Sequence, residues 1–300
     1  MPVIEPIVLD FFGSEIALVR ADRDEISFHF GPHLTGISRD PDQLRVEFSR
    51  TPGKDAPGDF LVRRSDGTPL LRRTFRGWGN LPGAVPPFAA LQDRFCLTPA
   101  VVLAKGDATV ALVGGPYSEQ ANVGAALAQR SWAFVSGRLL VLDRRTGHVL
   151  PYLAPLEARG PAAARLRGAG LPDGTWRTVT SPVGGEVLLV RPESLGPVVP
   201  VRARLAPPAL VRLCRSVDEE VRLAPWEFTT RTWPAGSSGL LADAPTHCLH
   251  LPGVSGAEEA AGLIDHAMTH AMTKEKDDSC LDVPAMPSAH RAGLTASLPI

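Results

Sequence analysis

Over the first 85 residues, apolar and polar positions alternate more often than they recur at helical spacing. "PIVLDFFGSEIALVRA" (6–21) reads as two apolar strands around a Gly-Ser turn. "LRVEFSR" (44–50) and "DFLVRRSDGTPLLRRTF" (59–75) alternate as half-buried strands do. The second of these folds at "RSDGTP", because Asp-Gly accepts the positive φ of a tight hairpin. One helix is predicted near "DEISFHFGPHLTGI" (24–37). Residues 1–85 are therefore expected to form a β-rich N-terminal lobe. The Pro/Gly-rich "GWGNLPGAVPPFAALQ" (77–92) marks its boundary, followed by a short helix before Cys96.

From Leu97 onward the apolar runs lengthen. "AVVLA" and "TVALVGG" flank the tight turn "KGDA", which predicts a hairpin. "ANVGAALAQR" (121–130) has Ala and Leu at helical spacing, with small residues suited to close packing on a sheet. "WAFVSG" and "RLLVLDRRTGHVLPYL" read as buried strands, the latter folded at "RRTG". Further strands are predicted in "GEVLLVRP", "VRARL" and "HCLHLPG". "PPALVRLCRSVDEE" (207–220) is predicted to be a helix, since Pro is tolerated in a first turn. "AEEAAGLIDHAMTHAM" (257–272) is amphipathic, with acidic residues in its first turn. After Lys274 the chain is charged and then Pro/Ser-rich, which predicts a disordered tail. The expected class is α/β: a β-rich lobe (1–85), a mixed sheet with helices (86–273) and a tail (274–300).

Composition narrows the function classes. A net charge of −1 lacks the basic surplus that nucleic acid or an anionic membrane rewards, so neither is expected as a partner. No apolar run approaches the roughly 20 residues that span a bilayer. The start "MPVIEPIVLDFF" lacks the layout of a secretion signal, so a cytoplasmic location is expected. Cys96, Cys214, Cys248 and Cys280 are scattered without a CxxC pair, which argues against a zinc ribbon or a disulfide framework. The 29 Pro and 28 Gly imply many short strands and turns. All but four of the 31 basic residues are Arg, which reads as bulk composition without evident clustering.

The segment "LTPAVVLAKGDATVALVGGPYSEQANVGAALAQRSWAFVSGRLLVLDRRTGHVLPYLAPLEARG" (97–160) carries a more specific signal. It has the order strand, glycine turn, helix, strand and "LDRRTGHVLP". In that order and spacing it resembles the HPr kinase/phosphorylase-like family. The family's core runs from L-H-A through a strand, G-x-S-G-x-G-K-[ST]-T, a helix and an S-D-D segment to "LDxxTGxVLP". The resemblance implies a P-loop-type core, and it also shows what this chain has lost. A phosphate loop needs glycines that free backbone N–H groups, a Lys on the β/γ-phosphates and a hydroxyl on Mg²⁺. Gly114 and Gly115 keep the turn. The Lys position holds Gln120 or Ala121, and the hydroxyl position Ala121 or Asn122, depending on a one-residue register. Glu119 sets a carboxylate beside a helix N-terminus, where it would repel a triphosphate. The family's paired carboxylates fall on Gly137 and Arg138, after Ser136, and its upstream histidine on Thr98. Five losses at once leave no kinase site. No catalytic residue, cofactor or metal is expected.

Other constellations are weaker. His266 and His270 stand four apart, and His247, Cys248 and His250 cluster upstream. Zinc needs three or four converging ligands, and alternation along a strand would put His247 and Cys248 on opposite faces. Ser118 in "GGPYSEQ" lacks the G-x-S-x-G of a nucleophile elbow. Asp24, Glu25, His29 and His33 have no identifiable distant partner. The five tryptophans read as packing residues, with Trp226 and Trp233 set apart by their polar, Pro-flanked segment.

Within its family the chain resembles the peptide-binding accessory proteins of ribosomal peptide modification pathways, crocagin biosynthesis being an example. That resemblance implies a pseudoenzyme that holds a precursor peptide, leader or core, for partner biosynthetic enzymes. An N-lobe edge strand is the expected docking element, by strand addition, with Val46 in "LRVEF" as a position to test if that strand is the edge. The alternatives are an ATP-dependent kinase-like enzyme with a rebuilt phosphate site, and a structural subunit of an enzyme complex.

Overall fold

The computed structural model describes residues 5–36, 44–50, 53–80, 94–181, 185–216, 220–226, 240–241, 243–252 and 256–280. The N-terminal strands form a six-stranded sheet. Its strands are β1 (Ile7–Phe11), β2 (Ser14–Val19), β3 (Leu34–Thr35), β4 (Leu44–Arg50), β5 (Gly58–Arg63) and β6 (Pro69–Phe75), in the spatial order β3-β1-β2-β4-β5-β6. Neighbours run antiparallel except β2 and β4. Alternation sorts the faces as the sequence predicts: Leu44, Val46, Phe48 and Val62 are buried, while Arg45 and Ser49 face water. Since β4 lies between β2 and β5, "LRVEF" is an interior strand. Val46 is fully buried there and cannot report on an edge.

The two-residue turn between β1 and β2 places Phe12 at φ +62° and Gly13 at +79°, the left-handed pair that twisted hairpins favour. A bulky residue in that conformation costs about 1–2 kcal/mol. Burial offsets it, because the Phe12 ring packs 5.0 Å from Phe95 and 6.3 Å from Tyr152, both beyond the N-terminal sheet. Helix α1 (Arg23–Phe30) starts on Asp22, whose carboxylate accepts from the Asp24 and Glu25 N–H groups. It stops earlier than the predicted range, at Phe30, whose backbone leaves helical geometry (φ −140°, ψ 22°), and a single 3-10 turn over Gly31–His33 follows.

The rest of the described chain contains β7 (Phe95–Lys105), β8 (Ala108–Val113), α2 (Tyr117–Ala128), β9 (Ala133–Ser136), β10 (Leu139–Asp143), β11 (Val149–Leu150) and β12 (Leu156–Ala158). It continues through α3 (Gly160–Gly168), β13 (Trp176–Thr180), β14 (Glu186–Val190), β15 (Ala209–Arg215), β16 (Arg222–Pro225), β17 (Thr246–Leu251) and α4 (Ala257–Cys280). The main sheet is ordered β11-β10-β7-β8-β15-β17-β16, with β9 also on β7, and a small sheet is ordered β12-β14-β13. The chain is thus mixed α/β, as the pattern predicts. Val110, Leu112, Leu140 and Leu142 are all buried.

Three expectations change. Residues 209–215 form a strand rather than a helix: β15 runs parallel between β8 and β17, and its Leu210 and Val211 are buried on opposite faces. A strand buried on both faces reads as a continuous apolar run, which periodicity alone does not separate from a helix. "VRARL" is a turn closed by Ala203 N–H to the Pro200 carbonyl, with Leu205 bridging to Val149. Helix α4 runs on to Cys280, past Lys274. The helix expected before Cys96, Trp233 and the final twenty residues lie outside the described residues.

Polar contacts join the elements. His33 Nδ1–H donates to the Asp10 carbonyl (3.0 Å), and its Nε2 accepts from Leu153 N–H (3.0 Å), linking the N-terminal sheet to the segment after β11. Arg177 pairs with Glu25 and lies 4.3 Å over the Phe28 ring. Lys105 Nζ (2.7 Å) and Trp132 Nε1 (2.8 Å) both donate to Asp265, pinning α4. Among the described residues no helix is long and apolar enough to cross a membrane.

Candidate functional site: a closed glycine turn

The strand-turn-helix unit sits where β8, β15 and β17 run parallel, and the turn leaves the C-terminal end of β8. Ligands gather at that end of open α/β sheets. Gly114 (φ +68°) and Gly115 (φ +61°) occupy left-handed conformations that a side chain would strain. They also press on β15: an added Cβ would lie 3.3 Å from Arg212 Cγ at position 114 and 3.2 Å from Leu213 Cβ at position 115.

The turn is short. Pro116 caps α2, which begins at Tyr117. The predicted helix over 121–130 is present, but it starts four residues earlier. Glu119 and Gln120, which would wrap a phosphate, are therefore already helical, and their N–H groups are engaged. Glu119 and Gln120 both donate to the Pro116 carbonyl (3.0 and 3.2 Å), while Pro116 has no N–H to offer.

The side chains complete the closure. Glu119 is 5% exposed, and its Oε1 accepts from Arg215 Nε at 3.0 Å. Its Oε2 hangs over the turn, 3.4 Å from where a Gly115 Cβ would stand. Gln120, in the Lys position, turns inward: Nε2 donates to the Gly114 carbonyl at 2.8 Å. Ala121 is fully buried, and Asn122 is buried with neither amide atom partnered.

The second half of the motif lies in the turn from β9 to β10. Ser136 Oγ accepts from the N–H groups of Arg138 (3.3 Å) and Leu139 (3.1 Å). Gly137 lies against the chain: a Cβ there would come within 2.3 Å of the Ala154 carbonyl oxygen. No carboxylate fits at 137 on this backbone. Arg138 forms a largely buried ion pair with Glu157. A cation with its own counter-ion thus stands where the family motif has a metal-binding carboxylate. Thr98, in the histidine position, is buried on β7 opposite Leu140. These residues do not fit a triphosphate and its metal.

The other sequence candidates go to structural duties. Ser118 Oγ accepts from Arg159 N–H (3.0 Å). His29 stacks on Trp78 at 5.7 Å, and burial, followed by the nearby Arg177 and Arg138 cations, pushes its pKa down to about 3. Burial likewise pushes His33 down to about 4, against the opposing pull of its bond to Asp10. Burial and the adjacent Cys214 push the Cys248 thiol up to about 12, far from a nucleophile's range. Trp226 lies under the Arg212 guanidinium at 5.2 Å. Among the described residues, no three His, Cys, Asp or Glu side chains converge as a metal requires.

The glycine turn, Glu119 and Gln120 lie together at the end of β8 and the start of α2, and sequence reasoning misses their neighbour Arg215 as well as Glu157. Arg215 was hidden by reading its strand as a helix. Glu157 carried no spacing signal, since contact with Arg138 depends on how the β12 segment crosses the β9–β10 turn.

The chain is similar to a solved HPr(Ser) kinase/phosphatase. That protein, from Coxiella burnetii, is 12% identical over 60% of this chain and 98% of its own, with a TM-score of 0.30. No family model and no curated protein matches the sequence. At that TM-score the likeness says nothing of residue roles, which rest on the contacts above.

Proposed function

We propose that this chain is a non-catalytic binding protein that holds an extended peptide, the precursor of a ribosomally made natural product, for partner enzymes. One observation carries the first half of the reading. The phosphate turn is filled by the protein's own groups, with Glu119 over the glycines, Gln120 bonded back to Gly114, and Arg138 neutralised by Glu157. The second half draws on the family resemblance of the motif and on an N-terminal sheet that ends in strands β3 and β6. Edge strands carry unpaired N–H and C=O groups, and an extended peptide satisfies them by adding a strand.

Calorimetry with ATP and Mg²⁺ tests the first half, and no binding is expected at millimolar nucleotide. Each absent charge-assisted phosphate contact is worth about 1.5–3 kcal/mol. A micromolar dissociation constant would instead support an ATP-dependent enzyme with a rebuilt site. Anisotropy with a labelled precursor peptide tests the second half, with micromolar affinity expected, about −8 kcal/mol. Mass spectrometry should find the peptide unchanged by this protein alone.

A further inference from the structure

We propose that β6 is the docking edge and that the segment it takes is acidic; this rests on the peptide-binding reading above. β6 is seven residues long and pairs only with β5, so among the described residues its outer edge has no strand against it. The hairpin that ends in β6 gathers a charge that the sequence reading treated as scattered. Arg64, Arg72, Arg73 and Arg76 are all exposed, and none meets a carboxylate at ion-pair distance among the described residues. Three acids of the hairpin and its neighbouring strand are already engaged. Glu47 pairs with Arg63 at 3.7 Å, Asp59 accepts from the Thr74 hydroxyl at 3.2 Å, and Asp66 accepts from Thr68 N–H at 2.8 Å. On a chain of net charge −1, this edge is a local basic stripe.

Strand geometry turns the stripe into a recognition pattern. Consecutive residues point to opposite faces, so Arg72 and Arg73 flank an added strand above and below. Adjacent acidic residues on the peptide would each meet a guanidinium as a cross-strand pair. Leu70 and Leu71 are half-buried and offer apolar contact one step along. The opposite edge has no such bias. β3 is two residues long and borders a cavity of about 730 Å³, where Asp10 and Glu15 balance Arg202 and Arg204 and Asp10 is already paired with Arg202 at 3.2 Å. Charge therefore selects β6.

The test uses the full chain and two labelled peptides, a repeating Thr-Glu-Glu-Val and the matching Thr-Lys-Lys-Val, followed by anisotropy. The acidic peptide should bind at least about tenfold more tightly, and the preference should shrink as salt rises. Arg72→Glu/Arg73→Glu should reverse the preference, whereas Arg145→Glu, in the turn between β10 and β11, should leave it intact. Circular dichroism melting of each variant confirms that it is folded. Equal binding of both peptides, or an acidic preference that survives the reversal at β6, would overturn the inference while leaving peptide binding standing. Failure of either peptide and of any precursor peptide to bind would overturn the reading beneath it. Self-pairing of the chain through β6, seen by sedimentation as a dimer that neither peptide disrupts, would also overturn the inference.

Discussion

His33 and His29 make stability pH-dependent at the scale of single residues. Both are held neutral by burial, with folded values of about 4 and about 3, whereas an unfolded histidine titrates near 6.5. Between those limits the unfolded chain binds more protons, so stability rises with pH. It is fully present above the unfolded value and falls as pH drops from about 6.5 toward 4. At pH 5 the loss should approach about 2 kcal/mol for each histidine. Urea unfolding at pH 7.5 and pH 5 should show the decline, and His33→Gln should roughly halve it, leaving the share of His29. Asn122 offers the opposite test. Its amide is buried without partners, which costs about 1–3 kcal/mol. Asn122→Ala should therefore raise the melting temperature, with added help from helix propensity. A drop would mean that the amide has a job the contacts do not reveal.

The turns, rather than the strands and helices they join, decide at the scale of elements what this site can hold. Restoring a family carboxylate by Gly137→Asp should destabilise the protein by about 3 kcal/mol or more, because the new Cβ meets the Ala154 carbonyl at 2.3 Å. Thermal melts would show it, and a variant as stable as the parent would mean that the β12 segment can move away. Much of this was legible beforehand. The β7–β8 hairpin, α2 and the buried faces of β8 and β10 follow from local periodicity, which is a property of each segment alone. What was not legible depends on neighbours. β15 has the apolar run of either a helix or a doubly buried strand, and only its place between β8 and β17 decides. The start of α2 at Tyr117 was obscured because a Gly-Gly-Pro stretch serves both a wrapped loop and a short turn. The arginines of "RRSDGTPLLRRTFR" were visible as letters, but their common edge becomes apparent only once the hairpin is folded.

The N-terminal sheet and the main sheet are joined by buried aromatic contact as well as by polar bridges. Phe12, reaching over from a strained turn, meets Phe95 and Tyr152, and His33 spans Asp10 and Leu153 nearby. Such a shared core should make the two sheets unfold together. Calorimetry should show one transition for the parent chain. Phe12→Ala should cost about 3 kcal/mol, at the low end for a buried Phe, and broaden or split the peak.

The basic edge of β6 also bears on how copies of this protein behave toward one another. A seven-residue strand with an open side is a template for fibre-like stacking, and proteins commonly guard such strands with charge. Two copies meeting edge to edge would bring Arg72 and Arg73 of one against the same pair on the other, so like charge holds them apart. The same guanidinium groups that would welcome an acidic guest thus act as a solubility guard while the edge is vacant. Arg72→Thr/Arg73→Thr, which removes the charge and keeps strand propensity, should therefore sediment as dimers or larger species at concentrations where the parent stays monomeric.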